Sequence, residues 1–111
     1  MLLRSLCALL AALMVAVAMP EPLQAAPVGA QLFEAHCAGC HLNGGNIIRR
    51  GKTLRMAALE RQGVASEAAI AAIAAGGVGQ MSGYADALGE DGVAAVAAWV
   101  WLQAQADWPR A

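Results

Sequence analysis

Five consecutive residues, Cys37-Ala38-Gly39-Cys40-His41, hold the densest chemistry in the chain. Two thiols at i and i+3 fall on the same side of a helical turn, and an imidazole follows the second directly. This is the C-x-x-C-H attachment pattern for c-type haem. Both thiols can add to the vinyl groups along one edge of a porphyrin and fix it through two thioethers. His41 then brings a ring nitrogen under the iron as the proximal axial ligand. The other ring N–H needs an acceptor that sets the ring plane, expected from a carbonyl of the following loop. Ala38 and Gly39 are small enough for the backbone to lie close to the ring. Three other chemistries use parts of this pattern. A Cys37–Cys40 disulfide suits an exported protein, a thioredoxin-like redox pair needs a βαβ context, and a zinc site needs a fourth donor.

A second axial ligand must come from farther along the chain, and Met56, Met81 and His36 are the candidates. Met56 falls inside a predicted helix and reads as core. His36 is too near the haem-bearing turn to reach the opposite face of a ring. Met81 lies in Gly79-Gln80-Met81-Ser82-Gly83, about 40 residues beyond His41, far enough to wrap round the ring. Packing alone is the alternative role for this methionine. His/Met ligation favours reduced iron and leaves no open coordination position, which suits electron transfer over oxygen chemistry.

Holding these groups requires helices, because the chain is dominated by alanine and lacks the period-two alternation of strands. Val28, Leu32, Ala35 and His36 fall on one face, predicting a first helix from Pro27 towards Cys40. Thr53 is the expected N-cap of a short helix carrying Leu54, Ala57, Ala58 and Arg61 and stopped by Gly63. Ser66 caps the next, with Ile70 and Ile73 on one face and Gly76-Gly77 at its end. The last, from about Asp91 to Gln105, aligns Val93, Val96 and Val100, with Trp99 and Leu102 beside them. No repeat or second domain is visible.

The first quarter of the 111 residues reads as an address. Met1 to Arg4 form a short positive start, and Ser5 to Met19 an almost unbroken apolar run ended by Pro20-Glu21-Pro22. The run is shorter than the roughly 20 residues a spanning helix needs, so residues 1–25 are read as a signal peptide cleaved after Ala25 or Ala26. Ala16-Val17-Ala18 also fits a cleavage pattern, but would leave a Pro-rich leader; Cys7 lies too early for a lipid anchor. Residues 26–111 then form one domain of about 86 residues. Domains this small rarely stand on an apolar core alone, and here a cofactor must fill the centre. With seven basic and eight acidic residues the chain stays near neutrality, and nothing suggests nucleic acid.

Taken together, these residues resemble a class I cytochrome c, and within that class cytochrome c6 (cytochrome c553), over essentially the whole mature chain. Gly29-Ala30-Gln31-Leu32-Phe33 is similar to the family's N-terminal helix, where Gly29 and Phe33 cross an aromatic of the last helix, here Trp99. Gly44, Asn46, Lys52-Thr53-Leu54 and Ala58-Leu59-Glu60 fall where the family has them, Met81 matches its methionine ligand, and Ala95 to Val100 through Trp108 resembles its C-terminal helix and tail. The departures are informative. Ser82 stands where Met-Pro is usual and loosens the ligand loop, Arg50 replaces a proline, and Ala87 replaces an arginine implicated in docking. Ile73 takes the place of a haem-pocket glutamine, as in isoleucine-bearing c6-like subgroups whose potentials tend to be lower.

The resemblance implies an all-α class I cytochrome c fold of four to five helices around one covalently bound haem c. It implies a soluble, non-enzymatic and monomeric carrier, exported to a thylakoid lumen or periplasm and without membrane insertion after cleavage. Single electrons would pass from a cytochrome bc/bf-type donor complex to a photosystem or terminal oxidase. The competing class is a haem-based sensor or weak peroxidase with a labile sixth ligand. Arg49, Arg50, Lys52 and Arg55 cluster after the haem motif, and Asp86, Glu90 and Asp91 near the last helix. That segregation can orient the protein on an acidic surface, or be ordinary solvated surface.

Overall fold

The computed structural model describes residues 25–110, and the expected leader lies, but for Ala25, outside the described residues. Four α-helices follow in order: α1 (Ala25–His36), α2 (Met56–Arg61), α3 (Glu67–Gly76) and α4 (Ala85–Gln105). A short 3-10 turn, Leu42–Gly44, follows the cysteine-histidine motif. Among the described residues the only strand-like pairing is the isolated bridge between Val78 and Met81. The class is all-α, as expected.

Helix α4 is the spine on which α1 and α3 pack. Its buried stripe, Val93, Val96, Ala97, Val100 and Ala104, recurs at helical spacing. Helix α1 crosses it at Gly29, where a Cβ would lie 2.5 Å from the Ala95 carbonyl oxygen and 2.8 Å from Trp99 Cβ. One turn on, Phe33 is buried in the same core, but its ring partner is Trp108, with centroids 5.4 Å apart, rather than Trp99. Gly29→Ala should therefore force the two backbones apart and destabilise the haem-loaded protein by about 1–3 kcal/mol, as overpacking does elsewhere. An unchanged denaturation midpoint would show that the crossing relaxes freely.

Helix α1 stops at His36, four residues short of the expected end. The Phe33 carbonyl accepts from both Cys37 N–H and Ala38 N–H, each at 2.8 Å, so the ladder widens and closes there. Cys37 to His41 then make a separate turn, closed by His41 N–H to the Cys37 carbonyl at 2.9 Å. Helix α2 begins at Met56 without a side-chain cap. Thr53 Oγ1 instead accepts from Arg55 N–H at 3.4 Å, a local turn that competes with capping. Gly63, at φ +69°, ends α2 as expected. Ser66 caps α3 by accepting from Ala69 N–H at 3.1 Å, and Gly77 at φ +78° stops it. Helix α4 starts six residues before the expected Asp91, because Gly89 (φ 71°, ψ 171°) joins an additional turn to the main helix. That conformation is essentially open to glycine alone.

Candidate haem site

The helices and the loops between them line a partly open cavity of about 340 Å³. Cys37, Cys40, His41 and Met81, drawn from two segments far apart in sequence, all line it. Part of its apolar wall is the core itself: Phe33, Leu59, Ile70, Val96 and Val100 are buried side chains that also face the cavity. Both cysteines are free thiols, so the disulfide reading finds no support. Burial pushes the Cys37 thiol up from its ordinary pKa, because desolvation disfavours the thiolate. Among the described residues no three His, Cys, Asp or Glu side chains converge as a metal ion alone would require, which removes the zinc reading.

His41 is held by its own loop. Its Nδ1–H donates to the Gly45 carbonyl at 2.8 Å, leaving Nε2 as the nitrogen available for a ligand. Gly45 lies in the following loop, where the acceptor was expected. The methionine segment is braced as well. Val78 and Met81 exchange two backbone hydrogen bonds, at 3.0 and 2.9 Å, across a two-residue turn with Gly79 at φ +54°. Gly77 and Gly83 leave no room for a Cβ: one on Gly77 would collide with the Met81 carbonyl oxygen, and one on Gly83 would lie 2.5 Å from that of Ala75. Ser82, expected to loosen this loop, is thus flanked by close backbone packing.

Of the other sequence candidates, Met56 is not on the cavity wall and packs against the core. His36 is on the wall, its ring edge-on to Tyr84 with centroids 6.2 Å apart. Ile73 faces the cavity. The basic cluster is divided. Arg49 and Lys52 line the cavity, whereas Arg55 donates to Asp107 at 3.1 Å and is not a free member of a patch. Sequence reasoning gave no role to Gln62 and Tyr84, both on the wall, and missed how Asn46 works. Its Oδ1 accepts from the Ile48 and Arg49 N–H groups at 2.9 and 2.7 Å, and its Nδ2 donates to the Lys52 carbonyl at 2.9 Å. An Asn after two glycines is a turn former, the one signal that could have revealed this.

A family model described as cytochrome c oxidase, cbb3-type, subunit III matches residues 24–100. More specific likenesses come from individual proteins. A cytochrome c6-like protein of Nostoc sp. (strain PCC 7120) is 50% identical over 80 residues, covering 72% of each chain. The cytochrome c6 of Aphanizomenon flos-aquae is 42% identical, with 74% of this chain and 94% of that one covered. The crystal structure of cytochrome c6B from Synechococcus sp. WH8102 superposes with a TM-score of 0.72 at 61% identity, covering 76% of this chain and 96% of the other. This chain belongs to the cytochrome c6 family. The oxidised cytochrome c6A of Arabidopsis thaliana is also similar, with TM-score 0.74 at 34% identity over 79% of this chain and 98% of that chain. As a class I cytochrome c6-like protein it binds one c-type haem covalently. The site fits that group: two free thiols, an imidazole with one nitrogen already engaged, a thioether and an apolar wall meet in one cavity.

Proposed function

We propose that this cytochrome c6 relative is an exported, water-soluble carrier of single electrons in a photosynthetic or respiratory chain, with residues 1–25 as its cleaved leader. The observation that carries the reading is the convergence of Cys37, Cys40, His41 and Met81 on one cavity. Cys37 and Cys40 would hold the haem as thioethers, His41 Nε2 would be the proximal iron ligand and Met81 the distal one. When bound, the haem iron supplies a one-electron ferric/ferrous couple. The Gly45 carbonyl orients the imidazole, and His41 and Met81 would together leave the iron no open position for a substrate. The relatives named cytochrome c6 support this carrier role over enzymatic turnover. Potentiometric titration should give one reversible n = 1 step, and reduced protein should pass its electron to a photosystem or terminal oxidase in membranes. Transfer to neither would overturn the assignment.

The docking surface lies beside the cavity. Ile47 and Ile48 are 70% and 57% exposed, and Arg49 and Arg50 follow them directly. Apolar contact there, steered by the two arginines, would place an acidic partner next to the haem-bearing loop. Arg49→Gln with Arg50→Gln should slow bimolecular electron transfer by about three- to tenfold at low salt. The difference should fade towards 0.15 M salt, where the Debye length is about 8 Å. Equal rates at low salt would leave the apolar residues as the whole contact.

A further inference from the structure

From the way the C-terminal turn grips the haem-bearing loop, we infer that Trp108 and Asp107 are positioning residues for the axial imidazole of His41. Helix α4 ends in a turn closed by Trp108 N–H to the Gln103 carbonyl at 2.8 Å and Asp107 N–H to the Ala104 carbonyl at 3.3 Å. This is the double closure that usually has glycine at its left-handed position. Here Asp107 occupies it at φ +58°, and Trp108 follows at φ +51°, a conformation bulky residues avoid. Such strain persists only where surrounding contacts over-determine it.

Three contacts do so, and all reach the loop after His41. The indole lies against Gly44, where any Cβ would collide with the ring. Its Nε1–H donates to the Leu54 carbonyl at 3.0 Å, and Leu54 N–H donates to the Gly44 carbonyl at 2.8 Å. Asp107 accepts from Arg55 at 3.1 Å. The turn thereby pins both ends of the loop from Gly44 to Leu54. Gly45, one peptide beyond the residue under the indole, supplies the carbonyl that holds His41 Nδ1–H at 2.8 Å. A well-placed acceptor makes an imidazole a more basic ligand, which favours ferric over ferrous iron. Trp108 thus acts on the potential through Gly44 and Gly45 without touching the iron.

The inference rests on His41 as an iron ligand. Trp108→Phe keeps an aromatic side chain beside Phe33 and Gly44 while deleting the Nε1–H donor and part of the ring volume. In the haem-loaded protein, NMR should show the His41 ring N–H exchanging with solvent about tenfold faster. The midpoint potential should rise by about 28 mV, a threefold shift of the exchange equilibrium at 59 mV per tenfold. A lower melting temperature with both readouts unchanged would reduce Trp108 to packing and overturn the inference. Should the variant not load with haem, native-state exchange of the unsubstituted protein decides. The Trp108 indole N–H and the His41 ring N–H should share one opening with a common denaturant dependence; independent openings overturn the inference. If the oxidised parent shows no paramagnetic shift of the His41 ring protons, it is the ligand assignment that fails, and that result is separate from either exchange outcome.

Discussion

Cells expressing Cys37→Ala or His41→Ala should yield little folded protein, and any apo-chain recovered should lack a cooperative thermal transition. The reason lies in what the core encloses. Phe33, Leu59, Ile70, Val96 and Val100 make up most of the buried cluster, and each faces the cavity as well as its neighbours. Without the haem this core is hollow. Each large side chain that loses its packing partner across the 340 Å³ cleft costs on the order of a few kcal/mol. A small domain has a total stability of only about 5–15 kcal/mol, and this one has about 86 residues after its expected leader. Cys37→Ala leaves at most one thioether link, and His41→Ala removes the proximal ligand. Circular dichroism with thermal melting checks the outcome. A stable apo-domain that unfolds cooperatively would show that the helices need no cofactor.

The parts of the fold legible in the sequence were those set by short-range chemistry. Ser66 before an alanine-rich run, Gly77 at the end of that run, Gly63 after α2, and the valine stripe of α4 each act within a turn or two of themselves, and each appears where expected. What could not be read depended on contacts across the fold. The end of α1 is set by the double acceptance at the Phe33 carbonyl, which composition does not announce. The extra turn at Ala85 needed Gly89 to take a rare conformation, and a glycine inside a helical pattern more often reads as a stop. Trp108 was legible as part of a family-like tail, but its place over Gly44 rests on two consecutive left-handed residues, neither of them glycine.

For the site the same division holds. The C-x-x-C-H run encodes its own geometry, because five residues make one turn, so the convergence of Cys37, Cys40 and His41 on one wall followed from their spacing alone. Met81 was reached by elimination along the chain and then by resemblance. The pairing of Arg55 could not be seen because Asp107 is 52 residues away, and nothing local marks an arginine as paired. Gln62 and Tyr84 carry no motif at all; their presence on the wall follows from the way α2 and the start of α4 are laid against the cavity.

Oxidised protein should show the weak sulfur-to-iron band at the edge of the near infrared, and reduced protein should bind carbon monoxide poorly at neutral pH. Both outcomes follow if Met81 holds its position. The two backbone hydrogen bonds between Val78 and Met81 fix the turn, and Gly77 and Gly83 let it settle directly onto the end of α3. Tyr84 N–H closes the far side by donating to the Ala74 carbonyl at 2.8 Å. This bracing offsets the loss of the proline that the family usually places after the methionine, since what proline supplies is a restricted backbone. Met81→Ala leaves the brace intact and removes only the thioether. It should abolish the band, increase carbon monoxide affinity by at least about tenfold, the equivalent of about 1.4 kcal/mol, and lower the potential, because a methionine ligand favours the reduced state. Ready carbon monoxide binding by the unsubstituted protein would mean that the brace does not hold the sulfur in place. The sensor or weak peroxidase reading would then replace the carrier.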